Sequence, residues 1–215
     1  MKLTKEQIQR VEHYLDVKQI DYIDIRLEIL DHIISDIEEK IEEEKVTFHN
    51  AFATSKQKWN PQFKETSSMF FGLGFTAPKI VIQKAKKVYW KQYVFLLTSY
   101  FLPFLLLTHF NFKIENPQEY GLFNTLKGVI VLTLISFVYM LFSNNHKIET
   151  TYGFILKSKS LGAFTGLIVL AIFFTRVNEL NGINIGMLCS FLWMTFSYFH
   201  FYKKHKEAIQ QYKIS

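Results

Sequence analysis

The chain has 215 residues, 49% of them hydrophobic and 17% aromatic, with 22 phenylalanines, one cysteine and a formal net charge of +6. That much aromatic surface exceeds what a small soluble core needs and suits lipid-facing helices, and one cysteine excludes a disulfide framework or a cysteine-based metal site. The charge is divided, with a net −6 over residues 1–45, +7 over 46–92 and +5 over 93–215; the basic excess therefore lies beside apolar segments and argues against nucleic acid as the partner.

Residues 1–10 are polar and helix-like rather than a signal peptide, so the N-terminal part is expected to stay in the cytoplasm. Thr4-Lys-Glu-Gln7 fits a capping box, and Ile8, Val11 and Leu15 recur at helical spacing, predicting a first helix over 5–17. Asp21 or Asp24 is the expected cap of a second helix over 22–44. Its apolar positions Ile23, Leu27, Leu30, Ile34, Ile37 and Ile41 step by 4 and 3, a heptad-like seam widened on one flank by Ile25, Ile29 and Ile33. Such a stripe must pack on something, either the neighbouring helices or a partner, and these six residues are the candidate partner-binding face. Thr47 caps a third helix over 48–59, which Asn60-Pro61 is expected to end. Residues 63–76 are apolar and glycine-interrupted, and fit either a membrane-interface segment or a cover on the helical domain. Pro78 suits the first turn of the helix that follows.

Four apolar runs come next, about 93–110, 122–142, 161–177 and 183–201, each near the ~20 residues that cross a bilayer. Pro103 is expected to kink the first, while Lys127 and Arg176 can snorkel to the interface. Basic residues set the orientation. Lys79, Lys84, Lys86, Lys87 and Lys91, then Lys147, Lys157 and Lys159, then Lys203, Lys204, Lys206 and Lys213 lie on the side of the N-terminal module, against Lys113, Lys127 and Arg176 on the other. Both termini are therefore expected inside. The run Lys79, Lys84, Lys86, Lys87 and Lys91 anchors the topology and is a candidate contact for anionic headgroups. With no glycine between Lys79 and Asn111, the segment that carries it reads as one rigid helix.

Chemistry is sparse. Glu28, His32 and Asp36 share a helix face as i, i+4 pairs and are weak metal candidates, the simpler reading being a solvated acidic face. The seven histidines form no His-Glu-x-x-His, and no nucleophile elbow, phosphate loop or nucleotide fingerprint is present. No acidic residue lies inside the spans, which speaks against an ion-coupled transporter. Ser99, Thr133, Ser136, Ser190, Thr195 and Ser197 are mild polar groups that join helices more often than they bind substrate. Gly162-Ala-Phe-Thr-Gly166 and Gly182-Ile-Asn-Ile-Gly186 fit Gly-x-x-x-Gly, which lets two helix backbones approach, within the bundle or between copies. A lipid-directed enzyme would need convergent groups such as His146, Glu149 or His200.

Leu3-Thr-Lys-Glu-Gln-Ile8, Arg26-Leu-Glu-Ile-Leu-Asp-His-Ile33 with Ile37-Glu38, and Val46-Thr-Phe-His-Asn-Ala-Phe52 together resemble the HAAS (helix-turn-helix-associated alpha-helical signalling) domain. The layout is similar to flavobacterial multi-span membrane proteins that carry such a domain. Trp59-Asn-Pro61 stands where those domains close with Leu-Gly-x-Pro. The resemblance covers about a third of the chain; it implies a cytoplasmic module that senses or relays something for a membrane part, and names no catalytic residue. The expected architecture is all-α: a cytoplasmic three-helix module over 1–77, then a four-helix transmembrane bundle over 78–215. The expected function is that of a non-enzymatic membrane protein without cofactor, whose partners are the lipid bilayer and either a second copy or a cytoplasmic protein. A transporter component or permease accessory subunit is the alternative.

Overall fold

The computed structural model describes residues 2–119, 121–143, 148–176 and 179–214; for residues 118, 122, 141, 143, 169, 172–176 and 212–214 it describes the backbone alone. The chain is mostly helical, with α1 (Lys5–Val17), α2 (Ile23–Glu43), α3 (Phe48–Phe63), α4 (Lys79–His109), α5 (Gly121–Ser143), α6 (Thr151–Arg176) and α7 (Gly182–Ile214). Two short antiparallel ladders join them, β1 (Glu65–Ser68) with β2 (Gly72–Pro78), and β3 (Lys113–Glu115) with β4 (Glu179–Asn181). Two compact units result. One comprises Met1–Lys86, Lys147–Phe154 and His205–Ser215, the other Lys87–His146 and Ile155–Lys204.

In the first unit the local signals act as written. Thr4 accepts from the Gln7 N–H and its own N–H donates to the Gln7 side chain, closing the capping box of α1. Thr47 caps α3 with its hydroxyl alone, accepting from the Asn50 N–H. Packing decides the rest. The face of α2 that is buried is the i, i+4 row Ile25, Ile29, Ile33 and Ile37, against Val11, Tyr14 and Leu15 of α1 and Ala51, Ser55 and Phe63 of α3. Of the expected seam, Ile37 is fully buried, Ile23, Leu30, Ile34 and Ile41 are half-buried and Leu27 is 57% exposed. A helix covered by two neighbours presents a ridge of i±4 residues rather than a two-helix heptad seam.

Three local expectations are corrected. The N-cap of α2 is Tyr22, which makes no side-chain cap bond, and neither Asp21 nor Asp24 takes that role. α3 runs through Pro61 to Phe63, where burial of Phe63 and its stacking on Trp59 hold the last turn. Residues 65–78, within a stretch expected as an interface segment or a cover and in a chain expected to be all-α, form a two-stranded hairpin, with Phe71 buried and Met69 and Leu73 exposed at its tip.

In the second unit α4 and α7 run antiparallel in close register. A Cβ on Gly182 would lie 2.9 Å from the Phe104 carbonyl oxygen and 2.8 Å from Thr108 Oγ1, and one on Gly186 would lie 2.8 Å from the Tyr100 carbonyl oxygen. The Gly182–Gly186 pair therefore serves packing inside the chain. Nearby, Asn181 caps α7 by accepting from the Ile183 and Asn184 N–H groups, while β3 and β4 tie the connections that flank the two helices. α4 is continuous from Lys79 to His109, with Pro103 inside it.

Three helices among the described residues are long and apolar enough to cross a membrane: Lys79–His109, Phe123–Met140 and Gly182–Gln211. They expose Phe95, Phe101, Leu102, Leu105, Val131, Leu132, Ile135, Phe196 and Phe199, side chains that a water-soluble protein would cover. The chain is thus built as a membrane protein. The run over 161–177 lies within α6 up to Arg176; Val177 falls outside the described residues.

Replacing Gly186 with leucine should lower thermal stability in detergent by about 1–3 kcal/mol through overpacking. Gly128→Leu, at a position with open space around its Cβ, should cost much less; equal losses in a scanning-fluorimetry comparison would contradict the close α4–α7 contact.

Candidate functional site

The acidic face of α2 does not converge on a metal site. Asp36 is engaged by its own unit: Lys40 and Lys58 approach its Oδ1 at 2.8 and 2.6 Å, and Ser55 donates to its Oδ2. Burial opposes ionisation of this carboxyl, but the hydrogen bonds from Lys40, Lys58 and Ser55 outweigh it and bring its pKa down to about 2. Glu28 pairs with Lys84 at 3.0 Å, and His32 is exposed. No group of three or more His, Cys, Asp or Glu able to hold a metal occurs among the described residues.

The basic run divides as well. Lys79, Lys86, Lys87 and Lys91 are exposed, whereas Lys84 donates to the Asp24 carbonyl at 3.1 Å and to Glu28. Lys84 is thus part of the first unit's internal structure. His146 and Lys147 lie outside the described residues, as does the side chain of Lys213. His200 sits edge-on to Phe201, and Lys127 lies 4.7 Å over the Phe123 ring.

Two constellations emerge that the sequence did not announce. The first surrounds the start of α6, within the first unit. Any helix start leaves N–H groups unpaired, and Thr150 and Thr151 are buried there. Thr150 Oγ1 accepts from the Gly153 N–H at 2.9 Å, and Asp24 Oδ1, 127 positions earlier in the chain, accepts from the Thr151 N–H at 2.8 Å. Thr150 Oγ1 also lies 2.7 Å from Nδ1 of His205, a buried residue near the end of α7. Gly153 gives the His205 ring its place, since a Cβ there would lie 3.1 Å from Cε1. The connection before α6 is held too: the Ile23 N–H donates to the Glu149 carbonyl at 3.1 Å. Burial, followed by the charge of Glu149 and a hydrogen bond to it, pushes the Tyr22 hydroxyl well above its usual range. Phe71 of the hairpin packs edge-on against Phe154. The first turns of α2 and the hairpin thereby grip the start of α6, which in turn holds the end of α7.

The second constellation is a cavity of about 200 Å³ in the second unit. Tyr89, Tyr93 and Leu96 of α4, Lys159, Gly162 and Ala163 of α6, and Met194, Ser197 and Tyr198 of α7 supply most of its wall. It lies towards the other end of the α4–α7 pair from the Gly182–Gly186 contact. Gly162 of the first glycine motif therefore faces space instead of a helix backbone, with no atom near a Cβ placed on it.

No protein-family model, no curated protein and no solved structure matches the chain.

Two measurements follow. The Asp36 carboxyl titrates lower in the folded protein than its ordinary value of 3.8, so the stability it contributes is complete above that value and is lost as pH falls through about 2. Asp36→Asn should cost about 2 kcal/mol at pH 7, read from hydrogen exchange of α2 amides, and should flatten the acid limb; an unchanged limb would refute the assignment. Asp24→Ala leaves a buried N–H unpaired and should cost about 1–3 kcal/mol, with Thr151 and Tyr152 amides exchanging faster and α1 amides unchanged.

Proposed function

We propose that this chain is a non-enzymatic integral membrane protein of a bacterial inner membrane. Its N-terminal helical module lies on the cytoplasmic side and relays a state to or from a four-span bundle whose third span is 161–177. The carrying observation is the Asp24 carboxylate on the Thr151 N–H, joined to His205 through Thr150. A module that only tethered the protein would have no need to supply the cap of a distant helix. Any displacement of α2 must either move the first turn of α6 or break its cap. The resemblance to HAAS signalling domains points the same way.

Orientation with both termini inside rests on the basic residues counted above and on the pairing of β3 with β4, which suits two connections on one face of the bilayer. A cytoplasmic partner or second copy would use what remains accessible of the α2 stripe, namely Ile23, Leu27, Leu30, Ile34 and Ile41, since Ile37 is buried. Lys79, Lys86, Lys87 and Lys91 would meet anionic headgroups, each worth roughly 1 kcal/mol near the surface. The second reading, a transporter component, is favoured only by the cavity, and the absence of an acidic residue in its wall counts against ion coupling.

The relay is tested by hydrogen exchange on full-length protein in nanodiscs. Asp24→Ala should speed exchange about tenfold or more not only at 151–153 but also in 205–211, because His205 is held through the same helix start; an effect confined to 151–153 would make the module a tether. Topology is tested in a Cys189→Ser background, where impermeant maleimide should label Lys113→Cys from outside and Lys157→Cys or Lys203→Cys only after lysis. Labelling of position 157 in intact cells would overturn the map.

A further inference from the structure

The cavity in the second unit has a chemistry that selects its occupant. Its wall is mostly apolar, and the one charged side chain in it is Lys159, with no carboxylate among the lining residues. The polar side chains are the hydroxyls of Tyr89, Tyr93, Tyr198 and Ser197, all able to donate a hydrogen bond. The Lys159 ammonium lies 5.0 Å from the Tyr89 ring centroid, so an aromatic face keeps the cation at the wall.

Ser197 gives the independent sign. Serine and threonine in an apolar helix ordinarily return their proton to a carbonyl three or four residues back. Ser99, Ser136, Ser158, Ser190 and Thr195 all do so here. Ser197 does not: its side chain is on the cavity wall, the residue is only 5% exposed, and its buried Oγ has no hydrogen-bond partner. An unmade hydrogen bond at that depth is costly, on the order of 1–3 kcal/mol, and turning the hydroxyl towards an acceptor held in the cavity would recover it.

Size narrows the class further. About 200 Å³ exceeds the ~150 Å³ engineered cavity that takes up a benzene ring but falls short of the roughly 300 Å³ at which pockets begin to enclose a whole drug-sized ligand. The cavity therefore takes part of a molecule, whose remainder lies outside it. Leu96, Ala163 and Met194 suit hydrocarbon, while Lys159 and Ser197 suit an anionic head.

We propose that the cavity among α4, α6 and α7 is a binding site for an amphiphilic anion, a carboxylate or phosphate head on an acyl chain, with Lys159 and Ser197 holding the head. The site stands independently of the relay reading.

The test uses full-length protein in phosphatidylcholine nanodiscs, titrated with cis-parinaric acid and with its neutral alcohol. Saturable binding of the acid is expected, at least tenfold tighter than the alcohol. Lys159→Gln should remove that preference while leaving alcohol binding unchanged, and Ser197→Ala should weaken the acid several-fold. Gly162→Leu fills the cavity and should abolish both, whereas Gly128→Leu, away from the wall, should bind as the wild type does. Phosphatidylglycerol doped into the discs distinguishes the sources: competition identifies a bilayer phospholipid head, and its absence with retained acid binding identifies a free single-chain lipid. Absence of saturable binding over empty discs, equal affinity for acid and alcohol, or undiminished binding by well-folded Gly162→Leu would each overturn the proposal.

Discussion

A buried helix start must find acceptors for its first N–H groups, and at α6 they come from two places. Thr150 supplies one locally, and Asp24 supplies the other from α2. Water cannot serve there, because Thr150 and Thr151 are closed off from it. The rest of the first unit follows from this. Glu149 is brought beside Tyr22 and Ile23, Phe154 beside Phe71, and His205 against Thr150 and Gly153. Side-chain capping by a residue so remote converts a local requirement of helix geometry into a tertiary fastening. It does so at a cost, since Asp24 Oδ2 and Thr151 Oγ1 are buried there without hydrogen-bond partners of their own.

Charge in this chain is divided between fastening and exposure. Lys40, Lys58 and Ser55 converge on Asp36, and Lys84 bridges the Asp24 carbonyl and Glu28, so these groups act inside the fold. Lys79, Lys86, Lys87 and Lys91 remain exposed. Residues of one type within one short run thus do different work, according to whether a carboxylate or carbonyl lies within reach. In the second unit the same contrast holds for small residues. Gly182 and Gly186 remove side chains so that α4 and α7 can touch, while Gly162 removes one where no helix backbone approaches, and a cavity remains.

Signals that act over a few residues were readable before the structure. The box at Thr4 and the cap at Thr47 start α1 and α3, and the described parts of the apolar runs fall largely in α4, α5, α6 and α7, because hydropathy and helix capping depend on neighbours in the chain. Which flank of α2 is buried is set by contacts that are not local. Periodicity finds an apolar stripe but does not say which flank its neighbours cover, and Ile25, Ile29 and Ile33 look on paper like the edge of the stripe that Leu27 and Leu30 centre. Asp24 is the clearest case. One residue into α2 it resembles a cap for its own helix, and nothing local marks it as the cap of another.

What the sequence determined alone is the helical, membrane-suited character of the chain, its division of charge and most helix starts, all set by interactions spanning a few residues. Only the tertiary structure decided that residues 65–78 pair as a hairpin, that Lys84 turns inward, that Ser197 keeps an unused hydroxyl at a cavity wall and that Asp24 closes the start of α6. Each of these depends on atoms brought together from distant parts of the chain, and neither periodicity nor hydropathy records such a meeting.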